Sequence, residues 1–290
     1  MKLIALILGL IIERAVTHLL HLRELHWLDA YFDYGQAQAR KLPTTLVPLG
    51  SFVVLLIPVL PVVAISVAFR DVLWDLPYLL FAVIVLLFSL GPRDLGEEVD
   101  EFRQASTTGD EAAAQQVAKI LMETDVDDEP NPRAMGEAIF VQANNRIFGV
   151  VFWFVALGPL GAWLFRVSDL FRRRSAFEAG RSSNDHGHVE IMHGILNFIP
   201  ARLAALGYAV GGSFDDAFDA WREYHPDEDE PFPHTTDRIA AAVGCGAMEV
   251  GGSVPATNEA AAGAAMRLVT RALFFWITVV ALMTLFGWAV

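Results

Sequence analysis

The sequence predicts an all-α, polytopic helical membrane protein with helical polar extramembrane regions. Three observations predict it. The chain of 290 residues is 54% hydrophobic, with Asp and Glu outnumbering Lys and Arg 34 to 21. Its mean hydropathy of +0.42 suits a mixture of membrane segments and polar segments of similar extent. Long uncharged runs recur along it, and a membrane helix needs about 20 mainly apolar residues to cover a hydrocarbon core of about 30 Å.

At the N-terminus, Lys2 is followed by ten uncharged residues, Leu3 to Ile12, and then by Glu13-Arg14. A charged start and a short apolar run resemble a secretory signal, but no small-x-small cleavage site follows. The segment is therefore expected to be a retained anchor helix. Leu42 to Phe69 holds 28 residues without a charge. Pro58 and Pro61 should bend it, a bend that membrane helices tolerate where neighbours satisfy the freed carbonyls. Leu76 to Pro92 gives 17 more uncharged residues, with Trp74 and Tyr78 placed as an interfacial aromatic belt. The short link at Arg70-Asp71 makes these two runs a helical hairpin.

Ile147 to Phe165 and Ala272 to Val290 each hold 19 uncharged residues. The first carries Gly158-Pro159-Leu160-Gly161, which should kink it and let a neighbour approach closely. His193 to Gly211 is apolar apart from Arg202, and fits a buried or interfacial helix. The expected organisation is an N-terminal anchor and hairpin over 1–92, an acidic helical region over 93–133 and a central membrane core over 134–211. A polar helical region over 212–267 and a C-terminal membrane helix over 268–290 complete it. Arg172-Arg173-Arg174 is the strongest basic flank of a span, which places that side in the cytoplasm.

Within 93–133, Asp110 should cap a second helix, Glu111 to Glu123, by accepting from exposed N–H groups. Phe102, Val117, Ile120 and Leu121 give the region an apolar stripe. The acidic run Asp125 to Pro130 lacks the glycine and closing glutamate of an EF-hand. It reads as a solvated loop, as does His225 to Pro231, where His225 and His234 near the carboxylates leave only weak room for a divalent ion.

Net charge is −13, which argues against a nucleic-acid partner, because phosphate binding needs a basic surface. Cys245 is the one cysteine, so neither a disulfide framework nor a cysteine metal cluster can form. There is no Gly-rich phosphate loop, no H-E-x-x-H signature and no G-x-S-x-G elbow. No metal site, cofactor or catalytic set is named by spacing alone.

Ionisable groups within apolar helices are costly, and usually face a protein interior or a wet cavity. Three helical faces carry them. Glu13, Thr17, His21 and Glu24 fall within about 80° on one face, with Arg14 and His18 beside them. This is either an interfacial helix end or a lined cavity. Gln142, Asn145, Arg146 and Gly149 share a second face, where Arg146 suits a ligand's carboxylate or phosphate, or an internal acid such as Glu13 or Glu137. Glu190, His193 and Asn197 form the third, followed by Pro200 and Arg202. There a His–Glu pair suits proton transfer or helix–helix hydrogen bonding.

These residues also carry a family resemblance. Asn145-Arg146-Ile147-Phe148-Gly149-Val150-Val151-Phe152-Trp153-Phe154, then Leu157-Gly158-Pro159-Leu160-Gly161-Ala162, resemble the core of the AmpE family of Gram-negative inner-membrane proteins. Ile11-Ile12-Glu13-Arg14 and Phe198-Ile199-Pro200-Ala201-Arg202-Leu203-Ala204 extend the likeness along nearly the whole chain. The resemblance implies a multi-pass protein of the cell inner membrane that modulates β-lactamase induction and antibiotic resistance. It also implies a functional link to a muropeptide amidase and a cell-wall-derived or lipid-linked ligand.

The AmpE family is itself similar to the CobD/CbiB group of cobalamin synthases, which join an aminopropanol arm to the corrin by an amide bond. Leu196-Asn197-Phe198-Ile199-Pro200-Ala201-Arg202-Leu203 matches that group's D-D-V-L-N-Y-I-P-A-R-L pattern. His193-Gly194 stands where the synthases carry two aspartates. Val167-Ser168-Asp169-Leu170 replaces an N-T-L-D-S-type run and keeps one acid. Loss of carboxylates argues against the same synthesis.

Three functions follow as expectations. One is a regulatory or signalling modulator that binds a ligand or partner, with Glu13, Arg14, His21, Asn145, Arg146, Asp169, His193, Asn197 and Arg202 as candidate binding residues. A second is a membrane enzyme on the synthase scaffold with a changed substrate, which requires Arg146, Asp169, His193, Asn197 and Arg202 to converge in one wet cavity. A transporter or flippase is the third, and the few charges within the spans disfavour it.

Overall fold

A backbone in hydrocarbon must satisfy its own N–H and C=O groups, and helices do so within a single segment. In the computed structural model, every element among the described residues is helical. The structure describes residues 2–16, 25, 27–69, 76–91, 94–123, 131–179, 187–225, 231–248 and 255–286. The chain is an all-α polytopic membrane protein. Four of its helices are long and apolar enough to cross a bilayer: Thr44–Ala68, Pro132–Leu157, Gly187–Gly211 and Asn258–Leu285.

The fold divides into two compact units. The first comprises Met1–Pro92, Gly149–Asn197 and Met283–Val290. It holds α1 (Lys2–Val16), α2 (Trp27–Ala39), α3 (Val47–Leu56), α4 (Leu60–Ala68), α5 (Leu76–Ser89), α9 (Gly149–Leu157) and α10 (Pro159–Ala179). The second comprises Arg93–Phe148 and Phe198–Leu282. It holds α6 (Leu95–Thr108), α7 (Glu111–Met122), α8 (Pro132–Ala143), α12 (Phe214–Glu223) and α13 (Phe232–Met248). Apart from the break at 92/93, the boundaries fall inside the long helix Pro132–Leu157, inside α11 (Gly187–Gly211) and inside α14 (Asn258–Leu285).

Pro58 and Pro61 do interrupt the first long helix, as a 3-10 turn over Ile57–Val59 between α3 and α4. Pro58 has no N–H for the carbonyl four residues back, that of Val54. The Tyr31 hydroxyl donates to that carbonyl at 2.8 Å. The Ile57 carbonyl, left by Pro61, accepts from the Leu60 N–H. The Trp163 indole donates to Pro58 O at 2.9 Å, tying the turn to α10. Leu28, Phe32, Val54, Val59, Val85, Trp163, Val167 and Phe171 form the surrounding core, with the Phe32 and Phe171 rings stacked at 4.7 Å.

Several expected spans are corrected. Ile147 to Phe165 is not one kinked helix. Gly158 takes a positive φ of 71°, and Pro159 starts a new helix, so α9 and α10 pack back on one another. Glycine suits the first position because it carries no Cβ to oppose that backbone. Gly161 suits the second, since a Cβ there would lie 2.3 Å from Trp153 O. The long apolar helix begins instead at Pro132 and ends at Leu157. Leu76 to Pro92 yields only the 14 residues of α5, ended near Gly91 with φ 102°. The expected hairpin is loose: α5 packs chiefly on α1 and α10, while Phe69 and Phe81 meet edge-on at 6.2 Å. Gly187–Gly211, expected as buried or interfacial, is long enough to span.

In the second unit, Asp94, Asp110 and Asn131 cap α6, α7 and α8 through side-chain oxygens that accept from Gly96, Ala113 and Ala134 N–H groups. The capping role expected of Asp110 is thus seen, and Phe102, Val117 and Leu121 are buried as the apolar stripe requires. Ile120 is exposed instead, because α7 turns only its Val117–Leu121 side to the core. That core gathers Phe102, Leu121, Phe140, Phe148, Tyr208 and Val243. Gly244 lets α13 close on Phe140, since a Cβ there would sit 2.5 Å from the ring.

Candidate functional site

Two buried polar clusters hold most of the described candidate residues, one in each unit. In the first unit the cluster is built on α10. Asp169 is fully buried, and residues three and four positions away on a helix share its face. Arg166 and Arg173 donate to its Oδ2 at 3.0 Å, and Arg172 donates to Oδ1 at 3.0 Å. Arg166 is buried, whereas the side chains of Arg172 and Arg173 remain 15% and 25% exposed, so the cluster reaches the surface. Burial opposes ionisation of Asp169, but the charges of Arg173, Arg172, Arg166 and His193 outweigh it. They hold the carboxyl below the usual carboxylate range. Asp169 lies outside the four long apolar helices.

Arg174 points to α2 and grips Asp33 with two bonds of 2.7 Å. One turn on, the Gln36 amide donates to the Ser175 hydroxyl. These contacts fix the rotation of α10 about its axis, which is what keeps Arg166, Asp169 and Arg173 turned inward.

His193 on α11 lies beside this cluster. Its Nδ1 is 3.0 Å from Ser168 Oγ, and the Ser168 hydroxyl donates to Phe165 O at 2.7 Å. With that proton committed, Ser168 Oγ is left to accept from Nδ1–H. The imidazole also lies 5.2 Å from the Phe165 ring. Gly149 makes room for that ring, since a Cβ there would sit 2.2 Å from it. Asn197, one turn on, is buried in the same unit. Its helix is held locally by Trp153, whose indole donates to Leu196 O at 3.0 Å.

The second cluster centres on Arg146, which sits in a π-helical turn over Asn144–Phe148. Such single turns recur at functional sites. Arg146 donates to Glu98 Oε2 at 2.7 Å and to Gln142 Oε1 at 2.9 Å. Gln142 in turn donates to Leu121 O and to Glu123 Oε1, at 3.1 and 2.8 Å. Among the described side chains the internal acid is therefore Glu98 and not Glu137. Glu137 pairs with Arg133 at 3.1 Å instead, because its face of α8 is exposed. Asn144 and Asn145 are fully buried beside this network. Arg202 is half-buried, with its guanidinium carbon 3.5 Å from the centre of the Phe198 ring, and it donates to Phe198 O at 3.0 Å.

Of the sequence candidates, Asp169, His193 and Asn197 thus fall in the first unit, and Asn145, Arg146 and Arg202 in the second. His21 lies outside the described residues, as do the side chains of Glu13 and Arg14 and the acidic run Asp125 to Pro130. Glu190 is half-buried on α11, and His193 Nδ1 lies within hydrogen-bond distance of Ser168 Oγ. Among the described residues, no group of three or more His, Cys, Asp or Glu could hold a metal ion. Sequence reasoning missed Arg166, Ser168 and Glu98 as site residues and took Arg172 and Arg173 only as a topology signal. The helical spacing of Arg166, Arg172 and Arg173 around Asp169 was a usable sign. Glu98 had none, lying 48 residues from Arg146.

A family model described as "Regulatory signalling modulator protein AmpE" matches residues 1–290. The chain is similar to a "Cobalamin biosynthesis protein CobD" of Stutzerimonas stutzeri (strain A1501), 28% identical over 174 residues, covering 59% of this chain and 57% of that protein. It is also similar to a "Cobalamin biosynthesis protein CobD" of Chromobacterium violaceum (strain ATCC 12472), 25% identical over 210 residues, covering 67% of each. The chain thus spans about three fifths to two thirds of the length of these curated relatives. No solved structure matches.

Proposed function

The chain belongs to the AmpE family of regulatory signalling modulator proteins, and on that premise we propose that it modulates β-lactamase induction from the inner membrane by binding an anionic cell-wall-derived or lipid-linked ligand. The observation that supports a binding role is the Asp169 cluster. Three guanidiniums converge on one buried carboxylate, and two of them keep an exposed edge. Guanidinium groups match the geometry of carboxylates and phosphates, the charged groups that muropeptides and lipid-linked wall precursors carry. Asp169 orients the guanidiniums, and His193 and Ser168 supply further hydrogen-bonding groups beside them.

A ligand that docks against Arg172 and Arg173 competes with Asp169 for their donors. Binding then loosens the hold of α10 on its own carboxylate, a local change of the kind that shifts an equilibrium between two helix arrangements. Signal passes to a partner only through such differential contacts. The functional link to a muropeptide amidase belongs to this reading and rests on the family.

The test is an induction assay in a host with an inducible chromosomal β-lactamase. Deleting the gene for this chain should change induced enzyme activity, and the wild-type chain should restore it. Arg173→Gln should reach the membrane at the wild-type level and fail to restore it. Unchanged induction after deletion would remove the regulatory proposal, and full restoration by Arg173→Gln would remove this site.

A further inference from the structure

The second unit contains a helix, α12, whose Trp221 packs against the core while its two phenylalanines point outward. α12 packs on α13 through small residues: Ala217 is buried, and a Cβ at Gly246 would lie 2.7 Å from Ala220 Cβ and 2.8 Å from Asp216 O. Phe214 and Phe218 point the other way, 56% and 52% exposed, with their rings parallel within 7° at 6.2 Å. Asp215 and Asp219 lie exposed on a separate flank. Such a helix has three faces: one against protein, one acidic toward water and one of phenylalanine toward neither.

Its height relative to the bilayer can be read from α14. Arg271 is the last charged residue before the uncharged run that starts at Ala272, so it marks where that helix enters hydrocarbon. The end of α11 lies at this level, since a Cβ at Gly211 would be 3.4 Å from Arg271 Cβ and 3.5 Å from Ala272 N. One turn back, Gly207 faces Trp276, deeper in the apolar run. The chain then turns at Gly212 and Ser213, whose N–H donates to Ala247 O at 2.9 Å, and enters α12. Leu206 and Val210 are exposed on the outer side of α11, and Phe214 and Phe218 continue them at the same spacing of four.

We propose that α12 is an interfacial helix whose Phe214–Phe218 face lies in the bilayer at the boundary of headgroups and acyl chains. Phenylalanines on one side and carboxylates on the other suit a helix lying in the membrane plane. The lipid-facing stripe of α11 thereby continues around the corner at Ser213. This inference does not depend on the regulatory reading.

The test uses the full chain carrying Cys245→Ala, with one nitroxide-labelled cysteine at 206, 214, 218, 215 or 219, in phosphatidylcholine vesicles. Collisional accessibility to oxygen, which concentrates in the bilayer, is compared with accessibility to a water-soluble nickel complex. Position 206 reports a correctly inserted protein. The oxygen-to-nickel ratio at 214 and 218 should approach that at 206 and exceed that at 215 and 219 several-fold. Equal ratios at all four α12 positions would overturn the proposal. So would protection of 214 and 218 from both reagents, which would mean that protein, not lipid, covers the face.

Discussion

Trp153 donates its indole N–H to the carbonyl of Leu196, the acceptor that Pro200 leaves without its helical partner four residues on. Tyr31 does the same for Val54, which Pro58 leaves open. Both prolines lie in helices long and apolar enough to cross a bilayer, where an open carbonyl finds no water. In each case an aromatic donor from another helix supplies the bond.

Trp153→Phe should therefore lower stability by about 1–3 kcal/mol, the cost of leaving a buried acceptor unsatisfied. Pro200→Ala restores a backbone N–H to Leu196 O. In that background the hydrogen-bond share of the cost should vanish, leaving only lost packing. Thermal unfolding in detergent of the two single variants and the double variant measures the coupling. Additive losses would show that the indole is not serving the freed carbonyl.

The Glu98–Arg146 pair is buried on both sides, so its two members should not be removable singly. Glu98→Gln leaves a buried guanidinium without its counter-charge and should cost about 3–5 kcal/mol. Replacing both residues with apolar ones of similar volume, Glu98→Leu with Arg146→Met, should cost less than either single change. A double variant worse than both singles in a thermal melt would give the pair a role beyond mutual neutralisation.

Gly161 lies where α10 folds back on α9, and its absent Cβ would overlap the backbone oxygen of Trp153. Backbone cannot swing aside as a side chain can, so Gly161→Ala should cost about 1–3 kcal/mol by overpacking. Gly187→Ala has nothing within 4 Å of the new atom and serves as the control. Equal melting temperatures for the two variants would remove the close approach.

The class of fold was legible because apolar length is a composition signal, and Thr44–Ala68 falls where its uncharged run places it. The last helix, Asn258–Leu285, contains the start of the run at Ala272 but begins fourteen residues earlier, in the stretch expected to be polar. The third run misled because charge alone defined it. By charge Arg146 marks a membrane boundary, yet the helix continues back to Pro132, with Glu98 pairing that arginine inside the protein. Gly158-Pro159 reads as a kink in the sequence, and only the positive φ of Gly158 makes it a chain reversal. At the candidate site, His193 is legible as part of a polar face on an apolar helix, and Asp169 only as the one acid kept in the stretch that resembles the synthases. Ser168 as the neighbour of His193 is not, because their contact depends on how α10 and α11 pack.

Asp169 gives the fold a dependence on acid whose sign can be worked out. Its carboxyl sits below the ordinary range in the folded chain because Arg173, Arg172, Arg166 and His193 overcome the effect of burial. Unfolded, it titrates near the usual value of about 3.9. The stabilisation is thus fully present at neutral pH, declines as pH falls below the unfolded value and is lost as pH falls through the folded one. Asp169→Asn removes it at every pH, leaving three guanidiniums around a neutral amide. That variant should be less stable than wild type by about 3–5 kcal/mol at pH 7. Between about pH 4 and pH 3 the gap should narrow, because only the wild type loses this contribution to protonation. Thermal melts of both proteins in one detergent from pH 7 to pH 3 read the difference, and a gap that widens on acidification would reverse the assignment of Asp169 as an ionised centre.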